Sequence, residues 1–335
     1  MKKSHYFESP VIASSGLMGI MGEGYKYHKI FKIFLPILFS FKWVTFQMKT
    51  VTVMPRVGNM KLSDKDSITP VEFRPKCIYV NFWKGFAVNN VSLSNPGIGF
   101  ILETGILQKI KGELHLSVMF INTNINKLIE IHDFVCILLP ELKNFQASKI
   151  FLHWNVSCPN TEHDGQKSFI EGFKREYRLL KELGLPIILK VGWNFPIDIL
   201  LELQKNEMIY GIDAINTIPF HELPIRTKRK YFTKKDEDGN FISPLDKHHD
   251  KFVVKGSGGV SGNPIRSFSL SFIKRARTAG FILPIIGGGG IIWPWNVIQF
   301  KRAGATVISP GSVAFLRPFN LLLITLTAKV VFRKH

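Results

Sequence analysis

The sequence predicts an α/β barrel that takes up the whole chain of 335 residues. Short apolar runs alternate with segments whose apolar residues recur at helical spacing, which indicates parallel strands joined by helices. Eight such runs occur, the number that closes a (β/α)₈ barrel. No internal repeat or low-complexity tract divides the chain. We therefore predict a single TIM-barrel domain over residues 1–335.

The predicted strands end in polar or small residues. Because the carboxyl ends of the strands share one face of a barrel, these residues are expected to lie together on the catalytic face. The predicted strands cover residues 10–13, 43–48, 114–121, 150–156, 186–190, 212–217, 283–286 and 306–308. We expect a helix from the end of the first strand to about residue 39, and an irregular hairpin or long loop over residues 77–95.

A charged segment from about residue 219 to residue 255 is too long for an ordinary barrel loop. Between Arg226 and Lys251 the charged residues outnumber the apolar ones, so little can be buried there. The segment is consistent with a lid, a partner-binding protrusion or a disordered insert. We predict a mobile surface excursion that proteases cut early, and not part of the core.

Composition narrows the class of protein. The net charge of +19 favours anionic ligands, nucleic acid or anionic lipid as partners, but the basic residues are scattered and form no stripe, so no nucleic acid is expected. The cysteines Cys77, Cys136 and Cys158 have no metal-ligand spacing and form no even disulfide set. No signal peptide or transmembrane segment is predicted. The expectation is a cytoplasmic protein with no metal site.

The segment 155–160 follows the fourth predicted strand and carries a thiol between two amides. Pro159 cannot donate a ladder hydrogen bond, so the strand ends near Cys158. Asn155, Cys158 and Asn160 are thereby placed at the catalytic end of the barrel. On the residues alone, Cys158 is either a reactive group or an inert buried side chain.

Two glycine-rich turns follow the last two strands. Gly287–Gly290 comes after the seventh strand and Gly311-Ser312 after the eighth, where barrels commonly bind phosphate. Glycine lets backbone N–H groups approach an anion closely. Lys49 and Lys190 end two apolar strands, where a lysine either meets an anion or extends to the surface.

In order and spacing these segments resemble the dihydroorotate dehydrogenase family, flavin mononucleotide (FMN) enzymes on an α/β barrel, and its cysteine-base class more than its serine class. The resemblance runs from Ser9-Pro10 to Phe315. The segments that carry it are Ser15-Gly16, Lys49-Thr50, residues 89–97, residues 155–160, Lys190, Asn216-Thr217, Gly258-Gly259 with Ser261-Gly262, Gly287–Gly290 and Gly311-Ser312.

The resemblance implies a role for each matching residue. Cys158 would be the base that removes the C5 proton of dihydroorotate while the C6 hydride passes to flavin N5, and Lys190 would stabilise charge at the pyrimidine end of the flavin. The FMN-binding residues would be Ser15, Gly16, Lys49, Thr50, Asn155, Lys190, Thr217, Gly258, Gly259, Gly288, Gly289, Gly290, Gly311 and Ser312. The residues that bind dihydroorotate or orotate would be Lys49, Asn89, Val91, Ser92, Leu93, Asn155, Asn160, Asn216 and Thr217.

The family also implies a homodimer. One subgroup of the family pairs with an iron–sulfur flavoprotein electron-transfer subunit, and the stretch Asn95-Pro96-Gly97 resembles the sequence of that subgroup. Ser92 departs from the pattern, since it stands where the family usually has a glycine. The predicted function is FMN-dependent oxidation of dihydroorotate in pyrimidine biosynthesis. The alternatives are a flavin oxidoreductase for another dihydropyrimidine-like ring, a non-flavin phosphate-binding lyase or isomerase, and a basic binding protein without enzymatic activity.

Overall fold

The structure, a computed structural model, describes residues 7–34, 41, 43–156 and 166–333. The strands within these ranges are β1 (Phe46–Gln47), β2 (Ile78–Asn81), β3 (Phe86–Asn89), β4 (Gly112–Val118), β5 (Ala147–Asn155), β6 (Ile187–Val191), β7 (Gly211–Ala214), β8 (Ile218–Pro219), β9 (Gly259–Gly262), β10 (Ile285–Gly288) and β11 (Val307–Ser309). The helices are α1 (Lys26–Phe34), α2 (Ile98–Glu103), α3 (Asn124–Leu138), α4 (Gln166–Lys181), α5 (Ile197–Lys205), α6 (Ile225–Tyr231), α7 (Arg266–Thr278), α8 (Pro294–Ala303), α9 (Val313–Leu316) and α10 (Asn320–Val331).

Seven strands form one parallel sheet in the order β1-β4-β5-β6-β7-β10-β11. The first predicted strand is reduced to two single-residue bridges, in which Val11 pairs with Ile308 and Ile12 pairs with Thr45. The Ile12 N–H donates to the Ile308 carbonyl at 3.0 Å, and the Ala13 N–H donates to the Thr45 carbonyl at 2.8 Å. This segment therefore connects the two edge strands of the sheet. The predicted α/β barrel architecture is confirmed.

Alternation along the strands divides the apolar residues into two sets. Outward-facing residues such as Leu189 and Val191 belong to the main core between sheet and helices. A second, smaller cluster fills the interior of the barrel and consists of Phe7, Ile12, Phe151, Ile188, Ile286 and Val307. Each fully buried side chain of this size contributes about 1.5–3 kcal/mol relative to an exposed one. The interior is a packed core that holds the strand ends in place.

A second sheet is antiparallel, in the order β2-β3-β9-β8. The hairpin predicted within residues 77–95 is present as β2 and β3, whose register pairs Ile78 with Asn89. β9 adds to this hairpin and pairs Gly259 with Asn89. The sequence does not predict this sheet. Strand β9 lies more than 160 residues after the β2–β3 hairpin, and its glycine-rich sequence is typical of a turn.

Two predicted elements are shorter than expected. The strand predicted over residues 43–48 has regular pairing only at Phe46–Gln47, with a bridge at Thr45. The helix expected up to about residue 39 begins only at Lys26; its described part ends at Phe34, and residues 35–40 lie outside the described ranges. Four glycines between Gly16 and Gly24 have positive φ angles, which explains the late start, since a helix cannot continue through that conformation.

The prediction that the charged excursion buries little is wrong. It contains α6, and its residues Phe232 and Leu245 are buried. The Phe232 ring lies 4.8 Å from the ring of Phe86 on β3 and 4.9 Å from the ring of Phe220. A few apolar side chains, spaced among many charges, are enough to attach the excursion to the small antiparallel sheet. Among the described helices, none is long and apolar enough to cross a bilayer.

Candidate active site at the carboxyl ends of the barrel strands

Hydroxyl side chains join the first strands of the barrel at their carboxyl ends. The Ser15 hydroxyl accepts a hydrogen bond from the Thr50 N–H at 2.7 Å and lies 2.9 Å from the Thr50 hydroxyl. The Thr50 hydroxyl in turn lies 2.8 Å from the hydroxyl of Ser117, near the end of β4. The structure thus brings Ser15 and Thr50, both predicted cofactor-binding residues, into direct contact.

Lys190 and Asn155 form the centre of this face. They occupy paired positions at the ends of β5 and β6, and the Val156 N–H donates to the Lys190 carbonyl at 3.1 Å. Both side chains are buried. Burial lowers the pKa of the Lys190 ammonium, and the charge of Asp213 opposes that shift. A buried lysine at this position needs a negative partner, which favours the anion-binding reading over a surface lysine.

Lys49 extends from the end of β1 to the loop that follows β3. Its ammonium donates a hydrogen bond to the Ser94 carbonyl. Burial lowers its pKa to about 8, and the nearby Cys77 and Glu23 act in the opposite direction. A Cβ at Gly16 would lie 3.9 Å from Lys49 Cγ. Lys49 therefore contacts Ser94, the residue that follows the predicted substrate-binding residues Val91, Ser92 and Leu93.

The 91–94 loop has a backbone conformation that glycine adopts most easily. Ser92 has a φ of 54° and Leu93 a φ of 58°. The Ser92 hydroxyl donates to Asn90 Oδ1 at 2.7 Å, and the Ser92 carbonyl accepts from Arg56 Nε at 3.0 Å. These bonds hold a non-glycine residue in the left-handed region, which ordinarily costs about 1 kcal/mol or more. Ser92 thus adopts a left-handed backbone conformation in this chain although it is not a glycine.

Asn89, Asn216, Thr217 and the glycines of β9 form another part of the same face. The Asn89 amide donates to the Gly259 carbonyl at 3.5 Å, and Asn216 Oδ1 accepts from the Thr217 N–H at 2.9 Å. A Cβ at Gly259 would collide with the Thr217 side chain, so only glycine fits there. Asn216 is tied to β6 through its N–H, which donates to the Val191 carbonyl at 3.0 Å.

The glycine turns after β10 and β11 are closely packed. Gly289 and Gly290 have φ angles of 87° and 97°, and a Cβ at Gly290 would lie 2.7 Å from the Gly262 carbonyl oxygen. A Cβ at Gly311 would lie 2.9 Å from Ser14 Cβ. The backbone can approach a ligand here because no side chain intervenes.

Two polar residues that the sequence analysis missed flank these turns. The half-buried Arg266 donates to Asn263 Oδ1 at 2.7 Å and to the Gly290 carbonyl at 3.5 Å. The buried Ser309 hydroxyl, at the end of β11, has no hydrogen-bond partner within the described residues. Arg266 lies four residues after Gly262, and this position could have indicated a cation for an anionic ligand.

Other site predictions lie outside the described residues. These are Cys158 and Asn160, the proposed base and one substrate-binding amide. The predicted absence of a metal site stays a prediction, although no group of three or more metal-ligating side chains occurs within the described ranges.

The sequence analysis also missed a set of buried polar residues inside the barrel, which are Gln47, Glu113, His115, His153 and Asp213.

Comparison with known families decides the identity of the fold. A family model described as dihydroorotate dehydrogenase matches residues 3–321. The chain belongs to the dihydroorotate dehydrogenase family. The resemblance noted in the sequence is thereby confirmed, and so is the enzyme class, an oxidoreductase that acts on CH–CH donors. The family is flavin-dependent in general.

Curated relatives agree with this family. The chain is 24% identical over 320 residues to the dihydroorotate dehydrogenase B (NAD(+)) catalytic subunit of Listeria welshimeri, covering 93% of this chain and 86% of the relative. It is 28% identical over 235 residues to the subunit of the same name from Thermodesulfovibrio yellowstonii, covering 69% and 68%.

Solved structures show the same fold. The dihydroorotate dehydrogenase of Eimeria tenella, solved in complex with ferulenol, has a TM-score of 0.62 and 14% identity, with 97% of this chain and 81% of that chain covered. Its ligand-free form has a TM-score of 0.61 and 16% identity, with 97% and 84% covered.

Proposed function

We propose that this dihydroorotate dehydrogenase family member binds FMN at the carboxyl ends of its strands and oxidises dihydroorotate to orotate in pyrimidine biosynthesis. The observation that carries the proposal is the convergence of Lys49, Asn155, Lys190 and Asn216-Thr217 on one face, beside the glycine turns. Both the carboxylate of the substrate and the phosphate of the cofactor are anionic, and this face supplies cations and backbone donors for them.

The residues around the glycine turns fit an FMN phosphate. Gly289, Gly290 and Gly311 place no side chain between the backbone and a ligand, Arg266 supplies a cation, and the Ser309 hydroxyl is a buried polar group without a partner in the described residues. Ser15 and Thr50 fit the ring end of the cofactor, since their hydroxyls and N–H groups are held at the neighbouring strand ends. When bound, FMN supplies a hydride acceptor.

The protein residues divide the rest of the chemistry. Lys49 and the 91–94 loop hold the substrate carboxylate, and Asn155 and Asn216 match the donors and acceptors of the ring edge. Cys158 takes the C5 proton, for which its thiol must first be deprotonated. Lys190 places a positive charge where negative charge develops. Val91, Ser92, Leu93, Asn89 and Asn160 complete the substrate site in this proposal.

The names of the relatives support a partner. They are called catalytic subunits of NAD(+) enzymes, which implies a second subunit in those proteins. We propose that the present chain forms a homodimer in the cytoplasm and passes its electrons to an iron–sulfur flavoprotein subunit. Within one chain, the barrel and its excursion form a single domain over residues 1–335 in this proposal.

The cofactor assignment is tested at Ser312, whose φ of −62° allows substitution without backbone strain. Ser312→Glu adds a negative charge next to the proposed phosphate position, and we expect FMN affinity to fall by about tenfold or more. Ser312→Gln has a similar size but no charge and serves as the matched control. Equal FMN retention in Ser312→Glu and Ser312→Gln, measured from the flavin absorbance after gel filtration, would contradict the assignment.

The substrate assignment is tested against the rival that Ser92 supports, a flavin enzyme for another ring. We expect turnover of dihydroorotate and little turnover of dihydrouracil, which lacks the carboxylate for Lys49. Faster turnover of dihydrouracil than of dihydroorotate would favour the rival. A purified protein that contains no flavin and turns over neither compound would favour a non-flavin lyase.

A further inference from the structure

The charged excursion, residues 219–255, has no part in the proposed chemistry, yet its last residues lie beside the loop that is assigned to the substrate. The excursion is anchored close to this point, because Leu245 and Phe252 are buried. The Ser243 hydroxyl also donates to the Ser257 carbonyl at 2.6 Å. The end of the excursion at Val254 is therefore held in a fixed place next to the 91–94 loop.

One side-chain amide joins the excursion to the loop. Asn59 Nδ2 donates to the Val254 carbonyl at 2.8 Å and to the Asn90 carbonyl at 2.9 Å. Asn59 Oδ1 accepts from the Val254 N–H at 2.9 Å. An asparagine amide offers two donor hydrogens and one acceptor oxygen, so these three bonds use the whole amide. Aspartate, which has the same size, lacks both donors, and alanine lacks the acceptor as well.

The backbone around Asn59 continues the connection into the loop. The Asn59 N–H donates to the Val91 carbonyl at 3.0 Å, and the Met60 N–H donates to the Ser94 hydroxyl at 2.9 Å. A Cβ at Gly58 would lie 2.6 Å from the Val91 carbonyl oxygen, so only glycine allows this close approach. Residues 58–60 therefore pack directly along the 91–94 loop.

Asn90 makes a second connection in parallel with Asn59. Its side-chain amide donates to the Val254 carbonyl at 3.0 Å and to the Gly256 carbonyl at 3.1 Å. Its Oδ1 accepts from the Ser92 hydroxyl at 2.7 Å. The Val254 carbonyl thus accepts from both asparagines. The end of the excursion is therefore joined to the loop by bonds from two separate residues and not by one contact.

The 91–94 loop needs this support because of its backbone conformation. Ser92 and Leu93 both lie in the left-handed region, which residues other than glycine adopt when the surrounding structure holds them there. Arg56 Nε donates to the Ser92 carbonyl at 3.0 Å on one side. The bonds to the excursion hold the residue that precedes the loop on the other side. Without those bonds the loop is free to relax into commoner conformations.

We propose that Asn59 is a positioning residue for the substrate site. By joining Val254 to the loop, it keeps the 91–94 loop in the conformation that meets the substrate carboxylate together with Lys49, whose ammonium donates to the Ser94 carbonyl. The charged excursion then acts as a support for the substrate loop. The proposal rests on the proposed function for the ligand that the loop holds, and on the hydrogen bonds for the connection itself.

The place of this connection determines which kinetic constant it affects. The loop is assigned to the carboxylate, which keeps its charge and its bonds while C5 and C6 are oxidised. A contact of equal strength in the ground state and the transition state changes KM and leaves kcat unchanged. Loss of the Asn59 amide should therefore weaken dihydroorotate and orotate alike. FMN should be retained, since the proposed phosphate site is at the glycine turns and does not include Asn59.

The proposal is tested with Asn59→Ala, which removes all three side-chain bonds. In the flavin-loaded full chain we expect the KM for dihydroorotate and the calorimetric dissociation constant of orotate each to rise by about tenfold. The kcat should stay within about twofold of the parent. Asn206→Ala is the matched control, because this exposed asparagine at the end of α5 also donates to a backbone carbonyl, that of Glu202 at 2.8 Å. Parental KM and orotate affinity in Asn59→Ala overturn the proposal, and so does a fall in kcat with an unchanged KM.

Hydrogen exchange followed by mass spectrometry tests the connection without reference to the substrate. In Asn59→Ala the Val254 N–H loses its acceptor, so peptides covering residues 88–96 and 250–258 should both exchange faster than in the parent. Exchange in the peptide that covers β10 should not change. Asn90→Ala removes the parallel bonds and should have the same effects, which covers the case in which Asn59→Ala does not fold. Parental exchange across residues 88–96 contradicts the connection.

The failure of this proposal and the failure of the proposed function give different results. A parent chain that neither binds orotate nor turns over dihydroorotate overturns the proposed function and the ligand assigned to the loop, while the exchange experiment still decides the connection. An active parent beside Asn59→Ala with faster exchange but parental KM leaves the proposed function intact. In that case Asn59 only stabilises the fold, and its role in the substrate site is overturned.

Discussion

Single residues decide the chemistry of this barrel, and Cys158 is the one on which the proposed reaction depends most. We expect Cys158→Ala to slow reduction of the flavin by dihydroorotate by about 10²-fold or more, the usual loss when an acid–base catalyst is removed. Cys158→Ser should be slower than the parent as well, because serine is a far weaker acid than cysteine. FMN should stay bound in both variants, since the proposed FMN phosphate site is at the glycine turns and does not include Cys158.

The measurement for Cys158 is stopped-flow absorbance under anaerobic conditions. In the parent, the rate should rise with pH through the pKa of the thiol, because the base must be deprotonated to accept a proton. The rate in Cys158→Ala should lack this dependence. Flavin reduction near the parental rate in Cys158→Ala would leave the residue with a packing role only.

The interior histidines make a separate prediction about stability. Burial lowers the pKa of His115 from 6.5 in the unfolded chain to about 4, so below pH 6.5 the unfolded state binds a proton that the folded state does not. Stability therefore decreases as the pH falls from 6.5 towards 4, by about 3 kcal/mol from this residue in total. Urea unfolding at pH 7 and pH 5 should show the loss, and His115→Gln should show less of it. An equal loss in His115→Gln would contradict this account.

At the residue scale, the sequence predicts which residues lie at the strand ends better than it predicts which polar side chains are buried between them. Ser15 contacts Thr50, Lys49 contacts Ser94, and Lys190 is paired with Asn155, because the strand ends lie on one face whatever the loops do. Asp213 and His153 were not identified, since in the sequence each sits in a short apolar run. Their inward orientation and their pairing depend on register across strands, which a single sequence does not reveal.

Among the elements, the charged excursion is where sequence reasoning fails most clearly. Its charges indicate a solvated loop, yet Phe220, Leu223, Phe232 and Leu245 are buried. The small antiparallel sheet provides the apolar surface for them, and it forms only because β9 returns to the β2–β3 hairpin. Composition within the segment could not show a partner surface from another part of the chain.

The excursion leads to a prediction at the same scale. Phe232→Ala removes a buried ring that contacts Phe86 and Phe220, and we expect it to cost about 3–5 kcal/mol and to expose the segment to proteases. Ile225→Ala, on the exposed side of α6, is the control and should change stability by less than about 0.5 kcal/mol. Limited proteolysis and urea unfolding measure both. Equal protease sensitivity in Phe232→Ala and the parent would mean that the ring does not hold the excursion.

For the molecule as a whole, the alternation of strands and helices was sufficient to predict the barrel. The strand order of the parallel sheet follows chain order, so each predicted strand lies beside its neighbours in the sequence. Between the edge strands β11 and β1, the barrel is continued by single-residue bridges at Val11 and Ile12. The sequence could not distinguish these bridges from a full strand. The net charge of +19 comes from basic residues that are scattered along the sequence.

The measurement that tests the central claim most directly is anaerobic mixing of the purified chain with dihydroorotate. We predict a yellow protein whose flavin absorbance is bleached by dihydroorotate, with one orotate formed for each flavin reduced and no need for a partner subunit in this half of the reaction. A flavin-containing protein that stays oxidised in the presence of dihydroorotate, or a full-length chain that binds no flavin, would contradict the account.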